Sequence, residues 1–376
     1  MTQTFSTTTD LQHPHGLVLP SQSLHKAIAS GHIKVFGDTS IQNDQVQPAS
    51  LDLRLGHIAY RVPASFLPGE KHTVESRLND LQMHILDLTD RAVLEKGCVY
   101  IIPLMERLDL PPQLFGRANP KSSTGRLDVF ARIITDGGTS FDDIPAGYKG
   151  PLYAEISPRT FSVSIRAGTR LVQLRLKQIS DLDRLSSQPD GSDGTASMSF
   201  TMDVTGTASG SAAIASETGM PPIVGYRARK HAGLIDVEKI NHYDPLDFWE
   251  PVFARRKGGV VLDPDDFYIL ATRESVSVPP NFAAEMRAYD VSIGEFRVHY
   301  AGFFDPGFGW EKAGGGGSRA VLEVRTHEVP FLIDEDQIVG RLVYEPLIET
   351  PDILYGQSLK SNYQGQSLAL SKQFKR

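Results

Sequence analysis

The chain has one cysteine, Cys98, and two tryptophans among 376 residues. A single thiol excludes an intramolecular disulfide and any zinc site that needs two or more thiolates. The histidines are scattered without metal-ligand spacing and are assigned to packing and surface roles, and Trp249 and Trp310 to core or interface roles. No apolar run approaches the ~18 residues of a membrane span, and no basic-then-apolar leader opens the sequence. No membrane contact is expected, and a cytoplasmic location is. Positive charge is also short: 38 Lys and Arg face 45 Asp and Glu, for a net charge of −7. That balance argues against broad nucleic-acid binding, so an anionic partner has to be held by a local cluster.

The length suffices for two domains with cores of their own. Residues 1–15 are polar and expected to be a disordered arm. Residues 16–180 read as a first domain. In it the stretch from Val46 to Gly56 alternates apolar and polar, and short β-rich runs from Cys98 to Leu176 are separated by Gly, Pro and Asp turns. Residues 181–225 lose apolar periodicity and read as a linker, with a further strand possible at Ser199–Val204. From 226 to 376 the first pattern returns. Leu262–Ala271 echoes the strand at Cys98, Asp305-Pro306-Gly307-Phe308-Gly309 echoes Ala146-Gly147-Tyr148-Lys149-Gly150, and Ala320–Val324 supplies a second strand glutamate, Glu323. The expected fold is therefore mainly β, two barrel or jelly-roll units in tandem with short helices.

One stretch carries a concentration of anion-binding groups: Asn119-Pro120-Lys121-Ser122-Ser123-Thr124-Gly125-Arg126. An ammonium, a guanidinium and two adjacent serine hydroxyls could all reach one anion, most simply a phosphate chain. Further on, Tyr153 and Glu155 share one face of a strand. A carboxylate between Ala154 and Ile156 is costly there without a partner or a task.

These elements resemble the dCTP deaminases of the dUTPase-like superfamily. That family carries an Arg-Ser-Ser-x-x-Arg element and a Pro-Gly-aromatic-x-Gly turn leading to a strand glutamate. Here these become Lys121-Ser122-Ser123-Thr124-Gly125-Arg126 and Gly147-Tyr148-Lys149-Gly150 with Glu155. Pro48-Ala49-Ser50-Leu51-Asp52-Leu53-Arg54-Leu55-Gly56 resembles the family's opening strand. Tyr355 and the tail Ser361-Asn362-Tyr363-Gln364-Gly365-Gln366 resemble a segment that closes over bound nucleotide, with Lys360 near the place of the lysine that Asn362 replaces.

The resemblance implies zinc-free hydrolysis of dCTP to dUTP and ammonia. Glu155 would be the general base, Ser122 would orient water and Arg126 would hold the ring. Lys121, Ser122 and Ser123 would grip a triphosphate accompanied by Mg²⁺, and Tyr355, Tyr363 and Gln366 would form the lid. Tyr148 belongs to the substrate-binding turn. The family's sugar-contacting aspartate falls at Pro145, so Asp143 is the substitute in this reading. The second unit matches at Asp305 and Glu323. It carries Asp290 and Glu295 where the cradle should be, and the run Gly314–Gly317 interrupts its turn, so it is expected to be structural apart from the lid. A trimer-based homo-oligomer is implied, since the superfamily builds sites between subunits. A dUTP pyrophosphatase, a bifunctional deaminase and diphosphatase, and a non-catalytic nucleotide sensor remain open.

Overall fold

The computed structural model describes residues 16–37, 39–180, 197–207, 210–288, 296–298, 302–326, 328–357 and 363–376. The expected arm at 1–15 lies outside them, as do Asp290, Glu295, Lys360 and Asn362. Strands dominate, as the alternation in the sequence requires. In the first unit one sheet runs Gly16–Val18, Val172–Ile179, Leu114–Pro120, Asp143–Ile144, with Leu51–Leu53 also on Val172–Ile179. The other runs His84–Asp87, Ile58–Val62, Val99–Asp109, Lys149–Pro158, Val129–Thr135. Among the described residues no helix is long and apolar enough to cross a membrane.

The second unit repeats this wiring. Arg319–Thr326 lies between Phe267–Ser275 and Phe296–Val298, as Lys149–Pro158 lies between Val99–Asp109 and Val129–Thr135. Gly340–Pro346 pairs with Phe282–Ala288, as Val172–Ile179 pairs with Leu114–Pro120. Even the register is shared: Glu155 stands opposite Ile101, and Glu323 opposite Ile269. The two strand glutamates are structural counterparts.

The segment read as a linker is not all linker. Ser197–Phe200 pairs antiparallel with Gly340–Pro346 and so belongs to the second unit's sheet. Phe200 and Met202 are buried in that unit's core, which explains why apolar residues persist in a polar stretch. The strand Ile223–Ala228 spans the boundary drawn at 225.

The units are joined by a shared core. Ile235–Asp236 pairs parallel with Val163–Ile165 of the first unit. Phe161 packs edge-on against Trp249 with centroids 5.5 Å apart, and Phe374 closes the cluster 5.9 Å from Trp249. Arg325 of the second unit reaches Asp128 and donates to Thr160 Oγ1 at 2.7 Å in the first. Asp128 adopts a left-handed backbone (φ 55°), which Asp tolerates better than bulky residues and which turns the chain sharply after the Lys121–Arg126 stretch.

A core common to both units should melt as one. We expect a single calorimetric transition, and Trp249→Ala should lower stability by about 3–5 kcal/mol. Two separate transitions, only one of them moved by the substitution, would show that the units fold independently.

Candidate functional site

Between the units lies a cleft whose walls come from both. The first unit contributes Lys121, Ser122, Ser123 and Arg126. Here Pro120 ends a strand, Lys121 N donates to the Leu171 carbonyl at 2.9 Å, and Ser122–Gly125 forms one helical turn. Thr124 Oγ1 donates to the Leu171 carbonyl at 2.8 Å and fixes that turn from beneath. The ammonium of Lys121 is ion-paired with the buried Asp52, whose second oxygen has no hydrogen-bond partner.

Opposite stand Asp305 and Glu323 of the second unit. Glu323 is 4% exposed, and among the described residues no cation lies at ion-pair distance from it. Burial pushes its carboxyl up to about 8, with the Arg126 charge pulling the other way. Asp305 is likewise raised, to about 6, by burial against the opposing charge of Arg175. Its loop is made possible by glycine. Gly309 has φ +63°, and a Cβ there would meet the Val276 carbonyl oxygen at 1.9 Å.

The C-terminal segment closes the cleft. Arg126 Nη1 donates to Gln366 Oε1 and to the Ala369 carbonyl, both at 3.0 Å, while its guanidinium stacks 4.0 Å from the Tyr363 ring centroid. Ser371 Oγ donates to the Ser123 carbonyl at 2.8 Å. Gln364 accepts from Gly309 N at 3.2 Å and donates to the carbonyls of Gly307 and Ala313 at 3.1 Å. The Gly314–Gly317 run gives that amide room: a Cβ on Gly315 would meet Gln364 Nε2 at 2.3 Å. A run that reads in sequence as an interrupted turn is a seat for the tail. Burial also raises the Tyr355 hydroxyl, which stays protonated.

Lys121, Ser122, Ser123, Arg126, Tyr355, Tyr363 and Gln366 are thus brought together. Glu155, Tyr148 and Asp143 are not part of this cleft. Glu155 is the cross-strand neighbour of Arg132, whose Nε donates to Oε1 at 3.2 Å. The Arg132 guanidinium is itself held 4.4 Å from the Phe130 ring and 3.4 Å from the Phe141 ring. The carboxylate expected to act as base is therefore committed to an internal cation. Tyr148 donates to the Pro151 carbonyl at 2.6 Å and accepts from Asp136 N, stapling its own turn. Asp143 takes Ser140 Oγ at 3.3 Å and lies 3.8 Å from Arg117. Asp52, from the opening-strand resemblance, and Lys372, just beyond the tail, also line the cleft, though neither is among the expected site residues. Asp305 in the second unit, against Pro145 in the first, was the available sign of which strand glutamate faces the cradle.

Comparison with known proteins agrees with the two-unit reading. Residues 15–180 match the model of the 2'-deoxycytidine 5'-triphosphate deaminase (DCD) N-terminal domain, and residues 196–374 that of its C-terminal domain. A dCTP deaminase of Halorubrum lacusprofundi is 30% identical over 160 residues, 42% of this chain and 75% of the relative. A dUMP-forming dCTP deaminase of Methanoculleus marisnigri is 28% identical over 162 residues, 42% of this chain and 79% of the relative. The crystal structure of 2'-deoxycytidine 5'-triphosphate deaminase from Agrobacterium tumefaciens superimposes with a TM-score of 0.77 at 49% identity, covering 90% of this chain and 99% of that one. With both domain models matched in order and the fold shared along its length, the chain belongs to the 2'-deoxycytidine 5'-triphosphate deaminase family.

Proposed function

We propose that the inter-unit cleft performs the hydrolytic deamination of dCTP with Glu323, not Glu155, as the general base. The observation that carries this is the raised carboxyl of Glu323, with no cation at ion-pair distance among the described residues, facing Arg126 and the Lys121–Ser123 turn. Water adds to C4 of cytosine as Glu323 takes its proton. Glu323 delivers that proton to N3, where it stays, and then carries the remaining proton of the new C4 hydroxyl to the amine as the C4–N bond breaks and the carbonyl forms, so dCTP and water give dUTP and ammonia. Arg126 stabilises charge developing on the ring, and Ser122 orients the water. Lys121 and Ser123 take the phosphates, and Tyr355, Tyr363 and Gln366 cover the nucleotide and exclude solvent.

Among the described residues no group of three or more His, Cys, Asp or Glu is placed to hold a metal ion. In this reading Mg²⁺ arrives with the triphosphate, whose oxygens and water are its main ligands. A trimer-based homo-oligomer in the cytoplasm belongs to the same reading on resemblance alone, and sedimentation tests the assembly. A second reading, onward hydrolysis to dUMP, is favoured by Asp305. This carboxylate sits in the cleft at the turn position where a pyrophosphatase carries its water-activating aspartate. Pyrophosphate released in step with ammonia would identify it.

Two substitutions separate the glutamates. Glu323→Gln should cut kcat by about 10²–10⁴ while dCTP still binds, the usual worth of a general base. Glu155→Gln should leave kcat within a few-fold and act mainly on Tm. The opposite result in an ammonia-release assay would return the chemistry to the first unit. Because Glu323 accepts a proton only once ionised, kcat/KM should rise with pH up to about 8 and then level. A profile already flat at pH 6 would rule Glu323 out as the base. Activity should fall when EDTA removes Mg²⁺ and return with Mg²⁺ alone; recovery only with Zn²⁺ would overturn the proposed role of the ion.

A further inference from the structure

Arg175 is a fully buried cation on the strand Val172–Ile179 of the first unit, yet almost everything it touches belongs to the second. Its Nη1 donates to Glu345 Oε2 at 2.8 Å and to the Ala284 carbonyl at 3.1 Å. Its Nη2 points at the Phe304 carbonyl at 3.4 Å, and the guanidinium lies 4.0 Å from the Phe303 ring centroid. Residues Phe303 and Phe304 form the strand that leads directly into Asp305. The same Nη2 is 3.5 Å from Asp305 Oδ1, an oxygen with no hydrogen-bond partner. That separation gives attraction without a well-formed hydrogen bond, and the oxygen is left buried and unsatisfied.

We infer that Arg175 is a positioning residue for the reaction: from the first unit it fixes the Phe303–Asp305 segment of the second and holds Asp305 as an anion aimed into the cleft. The inference rests on the proposed deamination in that cleft and adds a residue that never touches substrate. The other ionisable groups facing Asp305 do not replace it. From the first unit these are Asp52, which opposes ionisation, and Lys121, which favours it but is paired with Asp52. From the C-terminal segment there is Tyr355, which burial keeps neutral. Behind Arg175 stand Glu345 and Lys177, paired with one another. Arg175 is the largest favourable charge acting on Asp305, whose carboxyl otherwise rises through burial.

The test uses the full-length chain and the variants Arg175→Met, Arg175→Lys and Asp305→Asn, with kcat, KM and dCTP affinity measured across pH. In the unaltered chain log kcat/KM against pH should steepen from a slope of about one to about two below pH 6, where Asp305 joins Glu323 in taking up protons. Arg175→Met should move that steepening to higher pH and lower kcat/KM at pH 7 on the order of 10²-fold, as expected when a contact group is displaced. Arg175→Lys keeps the charge and should recover part of the loss. Asp305→Asn should remove the second slope, and adding Arg175→Met to it should cost much less than in the parent.

A slope unmoved by Arg175→Met, or effects of the two substitutions that multiply fully, would overturn the inference. If Arg175→Met does not fold, Arg175→Lys in both backgrounds decides by the same coupling. If no variant releases ammonia but dCTP still binds, calorimetry reads the coupling as dissociation constants. In that case the proposed reaction fails separately from the positioning role.

Discussion

The guanidinium of Arg126 belongs to one unit and finds its partners in the other. Its Nη1 donates to Gln366 and the Ala369 carbonyl, its face is covered by Tyr363, and its charge acts on Glu323, while Nε is buried without a hydrogen-bond partner. A buried arginine with one of these partners removed would be left desolvated and unpaired, a costly state in a low-dielectric interior. The tail can therefore close only where Arg126 stands. Arg126 in turn is fixed by the one-turn helix that Pro120 and the Leu171 carbonyl set in place. Cradle, lid and base are one electrostatic unit even though they are far apart in sequence.

Around that unit the two halves have diverged in opposite directions. The first half keeps the cations and has closed its own glutamate into a pair with Arg132, packed between Phe130 and Phe141. The second keeps Asp305 and Glu323 desolvated: among the described residues no cation lies at ion-pair distance from Glu323, and the nearest to Asp305 is Arg175 at 3.5 Å. Both arrangements place a carboxylate where burial penalises charge, and the difference lies in the neighbour. Arg132 Nε donates to Glu155 Oε1 at 3.2 Å, whereas burial without such a partner raises the Glu323 carboxyl and leaves it able to exchange a proton. One template has yielded a fastening and a reactive group.

Much of this was legible in the chain. The strand alternation, the repeat, the Lys121–Arg126 cluster and the aromatic tail all depend on local pattern, and all are found as elements. What was not legible is which glutamate the cradle faces. Glu155 and Glu323 occupy equivalent registers opposite Ile101 and Ile269, so strand periodicity cannot distinguish them. The distinction rests on cross-strand partners and on how the units dock, and these are contacts between distant residues. The Gly314–Gly317 run shows the same limit. It reads as a broken turn until the Gln364 amide is seen lying against Gly315. The edge strand Ser197–Phe200 was obscured by its polar surroundings and is fixed by pairing with a strand from the far end of the chain.

The parallel pairing of Ile235–Asp236 with Val163–Ile165, and the aromatic core behind it, place both halves of the cleft on one covalent chain. Where a site is shared between separate subunits, its integrity follows mass action and declines on dilution. Here the partners meet at an effective concentration set by the tether, so the cleft described above forms by an intramolecular step. Dilution alone would not separate these two walls.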